Sequence, residues 1–447
     1  VTPQHPDEAI PLSGLRGYLE AVRLFSRNAR LYLFHIVGMD LIHGTWEVLF
    51  NLYLLAVGFG IEFIGLRLLI GGIASSVASL PAGLISDRIG RKWSFILGDG
   101  GGAAVALINI MTTDRTVLLT TPVVGAFFGA LHAVSESAFM AENSALRERV
   151  HLFSVGDGLS TGATMVGSLL AGLIPLWRTA ALGKVAAYRW AASIGIVLWF
   201  LSLIPAWMLR QNPPDLAGER AVPNQSRPKA RIIGLGLARI HNPVLIAKLV
   251  TCGMVLSFGA GFVVPLFNVF FHEGLHAPEH QIGLTFASGS AFLALATLLA
   301  PFVHERLGKV PAIVLSRLAS VPFILVIAFS QEIGPYLAPA LSVAGIAYVL
   351  RVVLMNIAAP LASAFSMELL DQTERGTATG FQMMASGIFG AVGSYLGSRM
   401  MAAGDYHTPF GAMAALYLIS TGLFWIFFRR EEQRLAAVSA GRRLSIG

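Results

Sequence analysis

Cysteine is almost missing from this chain: Cys252 is the one thiol among 447 residues, so no intrachain disulfide framework can form. Charge is scarce too. Asp, Glu, Lys and Arg make up 13% of the residues against 55% hydrophobic ones, with mean hydropathy +0.68, which excludes an ordinary soluble globular protein. No Gly-rich loop ending in Gly-Lys-Ser/Thr occurs, which argues against direct coupling to ATP hydrolysis. The first thirty residues are polar, and no cleavable signal peptide is expected from them. The charge that is present leans positive, +7 overall. A nucleic-acid partner is not expected, because the cations gather in short loops between apolar runs and in the tails.

The apolar residues fall into runs long enough to cross a hydrocarbon core of about 30 Å. The expected spans are Leu31 to Val57, Ile64 to Leu84, Trp93 to Met111, Val117 to Met140, Leu152 to Trp177 and Ala186 to Leu209, then Val244 to Phe271, Ile282 to Val303, Val310 to Phe329, Tyr336 to Phe365, Thr377 to Met401 and Phe410 to Phe428. The fold class read from them is an all-α membrane protein of twelve transmembrane helices in two six-helix bundles, residues 31–209 and 244–428. Residues 1–30 form an amphipathic segment, with Leu15, Tyr18, Leu19, Val22 and Phe25 at helical spacing among arginines. Residues 210–243 are polar, rich in Pro and Arg, and read as a linker; 429–447 form a basic tail.

Alternate loops differ in Lys and Arg, as a correct span count requires. One set holds Arg88, Arg91, Lys92, Arg147, Arg149, the linker cluster, Arg306, Lys309, Arg375, Arg429 and Arg430; the other holds little beyond Arg115, Arg178, Lys184 and Arg189. Both termini are therefore expected in the cytoplasm, and the chain in a bacterial cytoplasmic membrane. The two halves also repeat. Ser137-Ala138-Phe139-Met140-Ala141-Glu142 matches Ser363-Ala364-Phe365-Ser366-Met367-Glu368, and Glu148-Arg149 matches Glu374-Arg375 at the same offset. Two homologous six-span halves related by an axis along the membrane normal form a transporter architecture.

The stretch Gly83-Leu84-Ile85-Ser86-Asp87-Arg88-Ile89-Gly90-Arg91-Lys92 stands out as a charged turn between two apolar runs, with glycines suited to close helix approach and positive φ. Its echo in the second half is Glu305-Arg306-Leu307-Gly308-Lys309. This turn resembles the signature between the second and third spans of the major facilitator superfamily, with Ile85 and Ser86 as mild departures. Span count, linker and halved repeat extend the resemblance over nearly the whole chain. It implies rocker-switch transport, with Gly83, Asp87, Arg88, Gly90, Arg91, Glu142, Glu305, Arg306 and Glu368 in the conformational switch: Asp87 meeting the start of the eleventh helix, Arg91 pairing with an acid such as Glu142. Two patterns of the superfamily's drug/proton antiporters are missing. Thr121 stands ahead of Gly125 where they carry arginine, and Gly158 to Gly172 has no proline.

Ionisable groups inside spans cost a few kcal/mol each and mark substrate or proton paths. Asp40, His43, Glu47 and Asn51 lie on one face of the first helix, and His132 and Glu136 are one turn apart on the fourth. Arg351, in the tenth span, falls opposite Gly125 under the repeat offset and supplies a cation to face Glu47 or Glu136. These seven are the candidate proton-coupling or substrate residues. Together with Phe50, Phe127, Phe128, Phe267 and Phe270 as lining candidates, they favour a monomeric, proton-coupled exporter of an amphipathic or cationic small compound. A proton symporter importing an anionic nutrient at Arg351, and a transporter-like sensor or scaffold, are the alternatives. No cofactor and no metal are expected.

Two strings resemble motifs of other chemistry. His272-Glu273-Gly274-Leu275-His276, with His280 nearby, fits a zinc-hydrolase pattern, but Gly274 and Pro278 interrupt the helix such a site needs. Gly98-Asp99-Gly100-Gly101-Gly102 lies inside an apolar span and reads as small-residue helix packing.

Overall fold

A computed structural model describes residues 22–211, 241–297, 308–371 and 374–444, all helix and turn with no strand among them. The first half comprises α1 (Arg27–Ala56), α2 (Ile61–Ile89), α3 (Arg91–Met111), α4 (Arg115–Glu142), α5 (Leu146–Leu182) and α6 (Lys184–Trp207). The second comprises α7 (Pro243–Gly274), α8 (Glu279–Thr297), α9 (Lys309–Ala328), α10 (Ala340–Leu369), α11 (Arg375–Ala402) and α12 (His407–Leu444). Side-chain caps fix several starts. Ser26 accepts from the Ala29 N–H at 3.1 Å, Asp114 from Val117 at 2.9 Å, and Asn242 from Leu245 at 3.1 Å, with Pro243 at the first helical position.

The expected boundaries shift where backbone chemistry overrides hydropathy. α1 begins at Arg27, so the end of the segment read as 1–30 belongs to the bundle; the rest of it, through residue 21, lies outside the described residues. The charged stretch Gly83 to Lys92 is hardly a loop: α2 runs to Ile89 and α3 starts at Arg91, joined by Gly90 alone at φ +85°. Gly308 at φ +83° plays the same part ahead of α9. Gly83, expected to let helices approach closely, has open space where a Cβ would go. The seventh span is not one straight helix; beyond Gly261 it passes through a 3₁₀ turn at Val264–Leu266 and a π turn at Phe270–Gly274, since Pro265 removes a backbone donor. The tenth is broken twice. Ser330–Leu337 is a separate short helix ahead of Pro339, and α10 itself interrupts at Ile357 and Ala358, just before Pro360. The tail beyond Arg429 continues α12 as helix to Leu444.

Nine of these helices are apolar and long enough to cross a membrane within the described residues. α1, α8 and α11 are less apolar, and all three pack on protein: α1 on α5 and α6, α8 on α5 and α10, α11 on α2 and α7. The neighbour pattern repeats. α1–α5, α1–α6, α2–α4, α3–α4 and α3–α6 are matched by α7–α11, α7–α12, α8–α10, α9–α10 and α9–α12. Even the tightest crossings correspond, because a Cβ on Gly44 would lie 2.0 Å from the Thr164 carbonyl oxygen of α5, and one on Gly397 2.0 Å from the Phe262 carbonyl oxygen of α7. Only glycine admits helix backbones that close.

The halves meet chiefly along α2–α11 and α5–α8. Their polar contacts concentrate at the face carrying the α1–α2 and α5–α6 turns, opposite the linker. There the Asn51 amide donates to the Pro265 carbonyl at 2.9 Å and to Asn268 at 3.1 Å, and Asn268 donates back to the Glu47 carbonyl at 3.0 Å. Tyr188 donates to Glu279, and Lys184 lies 3.4 Å from the same carboxylate. At the linker face the polar bonds stitch each half to itself: Asn28 to Asn143 at 2.9 Å in the first, and Glu374, accepting from the Asn242 N–H at 3.0 Å and from the His241 N–H, in the second. Those backbone donors hold the Glu374 carboxyl below the usual carboxylate range.

Candidate functional site

The α1 stripe divides by environment. Asp40 is buried within reach of Ser160, and its Oδ2 has no hydrogen-bond partner among the described residues. His43 and Glu47 are exposed, and Asn51 is spent on the contact between the halves. Across from Glu47, on α10, Tyr348 lies within electrostatic reach of both Glu47 and Arg351. Arg351 is 4% exposed, donates to the Tyr417 hydroxyl at 2.7 Å, and packs its guanidinium over the rings of Phe267 and Tyr417 at 5.6 and 5.8 Å; its Nε has no partner among the described residues. An arginine so held has part of its donor fork left for an incoming carboxylate or phosphate.

Two further arginines belong to this picture, and both went unread in the sequence. Arg67 of α2 lies over the Phe50 ring at 4.7 Å and donates to Thr121 at 3.0 Å and to the Leu118 carbonyl, so the cation wanted near Thr121 comes from inside the first half. Arg317 of α9 lines a cavity of about 320 Å3 inside the second half, with Cys252, Ser257, Ser366 and Gln382 among its walls, and interacts with Tyr417 as well. The signal was present, an ionisable residue in an apolar run.

Of the aromatic lining candidates, Phe127 and Phe128 are half-buried on α4, while the other three are buried. Phe267 and Phe270 are 2% exposed within the core, and Phe50 is stacked on Trp46 at 4.0 Å. These rings pack between helices and present little surface to a cavity.

On α3, Asp99 is fully buried between His35 of α1 and His132 of α4. Its Oδ2 lies 2.9 Å from His35 Nε2 and 2.8 Å from His132 Nδ1, and its Oδ1 accepts from the Trp199 indole at 3.3 Å. Glu136 lies within electrostatic reach of the buried Tyr32 hydroxyl, which is 3.4 Å from His132 Nε2. The glycines around Asp99 do pack closely, a Cβ on Gly102 falling 2.6 Å from Trp199. That close packing is what brings an acid reading as a packing residue into contact with three other helices.

At the linker face Arg91 lies 3.5 Å from Glu142 and 3.2 Å from Asp87, and its second-half counterpart Lys309 lies 2.5 Å from Glu368. Arg88 is exposed at the end of α2; Glu305 and Arg306 lie outside the described residues. Exchanging Arg91 and Glu142 together is expected to restore more activity than either single reversal retains. A double variant no better than the worse single one removes the pairing. His272 and His276 share no helical face: the first is in the π turn, 3.0 Å from Lys184, and the second has φ +52°.

Two bundles of matching neighbour pattern, with buried charge between and within them, define a membrane transporter. A family model described as Major Facilitator Superfamily matches residues 36–359 and 249–445, and the chain belongs to that superfamily. It is a transporter and not an enzyme. No curated protein matches it. Among solved structures, the nucleoside transporter NupG superposes with TM-score 0.70 at 16% identity, covering 90% of this chain and 99% of that one. A D-xylose-proton symporter gives 0.67 at 13% identity, covering 92% and 98%. A bacterial homologue of the iron transporter ferroportin, facing inward, gives 0.67 at 12%, covering 89% and 98%. At such identities these likenesses establish the fold.

Proposed function

We propose that this chain is a proton-coupled secondary transporter that imports a small organic anion by alternating access, with the linker face in the cytoplasm. Arg351 carries the reading: it is a buried cation with an unpartnered donor, and Arg317 lies across Tyr417 from it. A buried guanidinium of this kind costs several kcal/mol and is retained where it meets a negative partner. Glu47, exposed on α1 and near Tyr348, takes the proton. The Asp87–Arg91–Glu142 group and the Lys309–Glu368 pair latch the linker ends of the two bundles as they rock. One structural neighbour, a D-xylose-proton symporter, has a name that matches this mode of coupling.

Export of a cationic compound is the second reading, supported by the three acids Asp40, Glu47 and Glu136 on α1 and α4. The packing of Phe50, Phe267 and Phe270 in the core takes away three of its five aromatic candidates. Proteoliposomes with an imposed pH gradient, scanned against small carboxylates and lipophilic cations, separate the two. Carboxylate accumulation driven by inward protons supports import. Cation-driven proton release replaces it with the exporter, and silence across both panels replaces it with a sensor or scaffold.

A further inference from the structure

Hydrogen-bond accounting around Asp99 leaves a positive charge to be supplied. His35 Nδ1 faces the Ser202 carbonyl at 2.9 Å, and a carbonyl only accepts, so that nitrogen carries the ring proton. The Ser202 hydroxyl offers no way around this, since it donates to the Trp199 carbonyl at 2.7 Å. On the other side, His132 Nε2 lies 3.4 Å from the Tyr32 hydroxyl oxygen. A neutral His35 therefore turns its bare Nε2 onto one carboxylate oxygen of Asp99 at 2.9 Å, and His132 Nδ1 meets the same oxygen at 2.8 Å. Three possible ligand atoms converge in a site that is at most 6% exposed.

The surrounding charge points the same way. Asp99, Asp40 and Glu136 are within electrostatic reach of His132, and Asp40 Oδ2 is buried without a partner. Among the described residues, the ion-pair partners of Asp99 are His35 and His132, and neither Lys nor Arg lies within ion-pair distance of Asp99, Asp40 or Glu136.

We propose that His35, Asp99 and His132 bind one divalent first-row transition-metal ion inside the first bundle. Two histidines and a carboxylate are a common donor set for such ions, and each histidine's outer nitrogen is already engaged by a carbonyl or hydroxyl, the outer-shell arrangement that fixes metal-binding tautomers. With bonds of about 2.1 Å, donor atoms 2.8–2.9 Å apart subtend about 85° at the ion. That suits six-coordinate Mn(II), Fe(II) or Co(II) better than tetrahedral zinc. One such ion supplies the charge that would otherwise take an extra proton on His35 and ties α1, α3 and α4 together, with α6 behind them. The inference does not depend on what is transported.

Co(II) is the probe. The full chain, purified in detergent and stripped with chelator, is titrated with Co(II) and followed by visible absorption and equilibrium dialysis. One ion per chain is expected, with at least a 100-fold loss of affinity in His35→Ala and in Asp99→Asn, and a 10- to 100-fold loss in Tyr32→Phe through the outer shell. Asp371→Asn, in the His241, Asp371 and Glu374 cluster at the linker face, is expected to leave binding unchanged. X-ray absorption of the wild-type complex, which needs no variant to fold, is expected to show two imidazole ligands. Failure of the wild-type chain to bind one Co(II), binding that survives His35→Ala, loss of binding in Asp371→Asn, or a spectrum without imidazole overturns the assignment; protons alone then supply the charge.

Discussion

Glu47→Gln is expected to abolish accumulation of substrate against a gradient while leaving counterflow exchange near the wild-type rate. A pH difference of one unit stores about 1.4 kcal/mol per proton, so one-proton coupling supports about tenfold accumulation, and the variant is expected to fall to equal concentrations on both sides. The reason lies in where α1 puts its acids. Asp40 is buried against Ser160, whereas Glu47, two turns on, is exposed beside His43 and across from Tyr348 of the other half. A proton carrier has to meet both solvent and the opposing bundle in the course of one cycle, and Glu47 has that position. Gln keeps the shape and hydrogen-bonding reach of the side chain but cannot exchange a proton at neutral pH. Exchange of substrate for substrate needs no net proton movement and survives. Concentrative uptake by the variant at the wild-type level would remove Glu47 as the carrier.

Arg351→Gln is expected to cost more still, at the level of binding. Removing one partner of a buried, hydrogen-bonded charge pair costs about 2–5 kcal/mol, which corresponds to a loss of affinity of at least about 30-fold. Lys is not expected to substitute, because the site uses a planar fork that reaches Tyr417 at 2.7 Å with one nitrogen while another stays unpartnered. Tyr417→Phe deletes only the hydroxyl that holds the guanidinium, worth about 1 kcal/mol, and is expected to weaken binding several-fold. Isothermal titration of the purified variants with the carboxylate chosen by the uptake panel measures all three. Unchanged affinity in Arg351→Gln would move the substrate away from this arginine.

The span pattern was legible because hydrocarbon thickness imposes a length and cytoplasmic loops impose a charge. Both leave their mark on runs of residues that need no tertiary knowledge to see. The internal repeat was legible for the same reason, and it reaches down to side chains, with Arg91–Glu142 and Lys309–Glu368 at matching places in the two halves. What could not be read was which way each polar residue turns. Asn51 shares a helical stripe with Glu47, yet one carboxamide seals the face opposite the linker while the carboxylate stays exposed. Phe267 and Phe270 have the composition of a lining but pack into the core, because the turns around Pro265 rotate that end of α7 inward. Asp99 was hidden by its own neighbours. Glycines on both sides gave it the look of a packing motif, and only the crossing of α1, α3, α4 and α6 brings two histidines and an indole to it.

Alternating access between the two halves is the claim on which the transport account rests, and the contact between Asn51 and Asn268 tests it most directly. Their side chains are 3.1 Å apart across α1 and α7, so cysteines at both positions, in a Cys252→Ser background whose own rate is the reference, lie within reach of a short bis-methanethiosulfonate crosslinker, which joins them through disulfides. With the crosslink complete, uptake in proteoliposomes is expected to stop, and reductive release is expected to restore it. Uptake that continues at the reference rate with those two helices held together would contradict alternating access through this face.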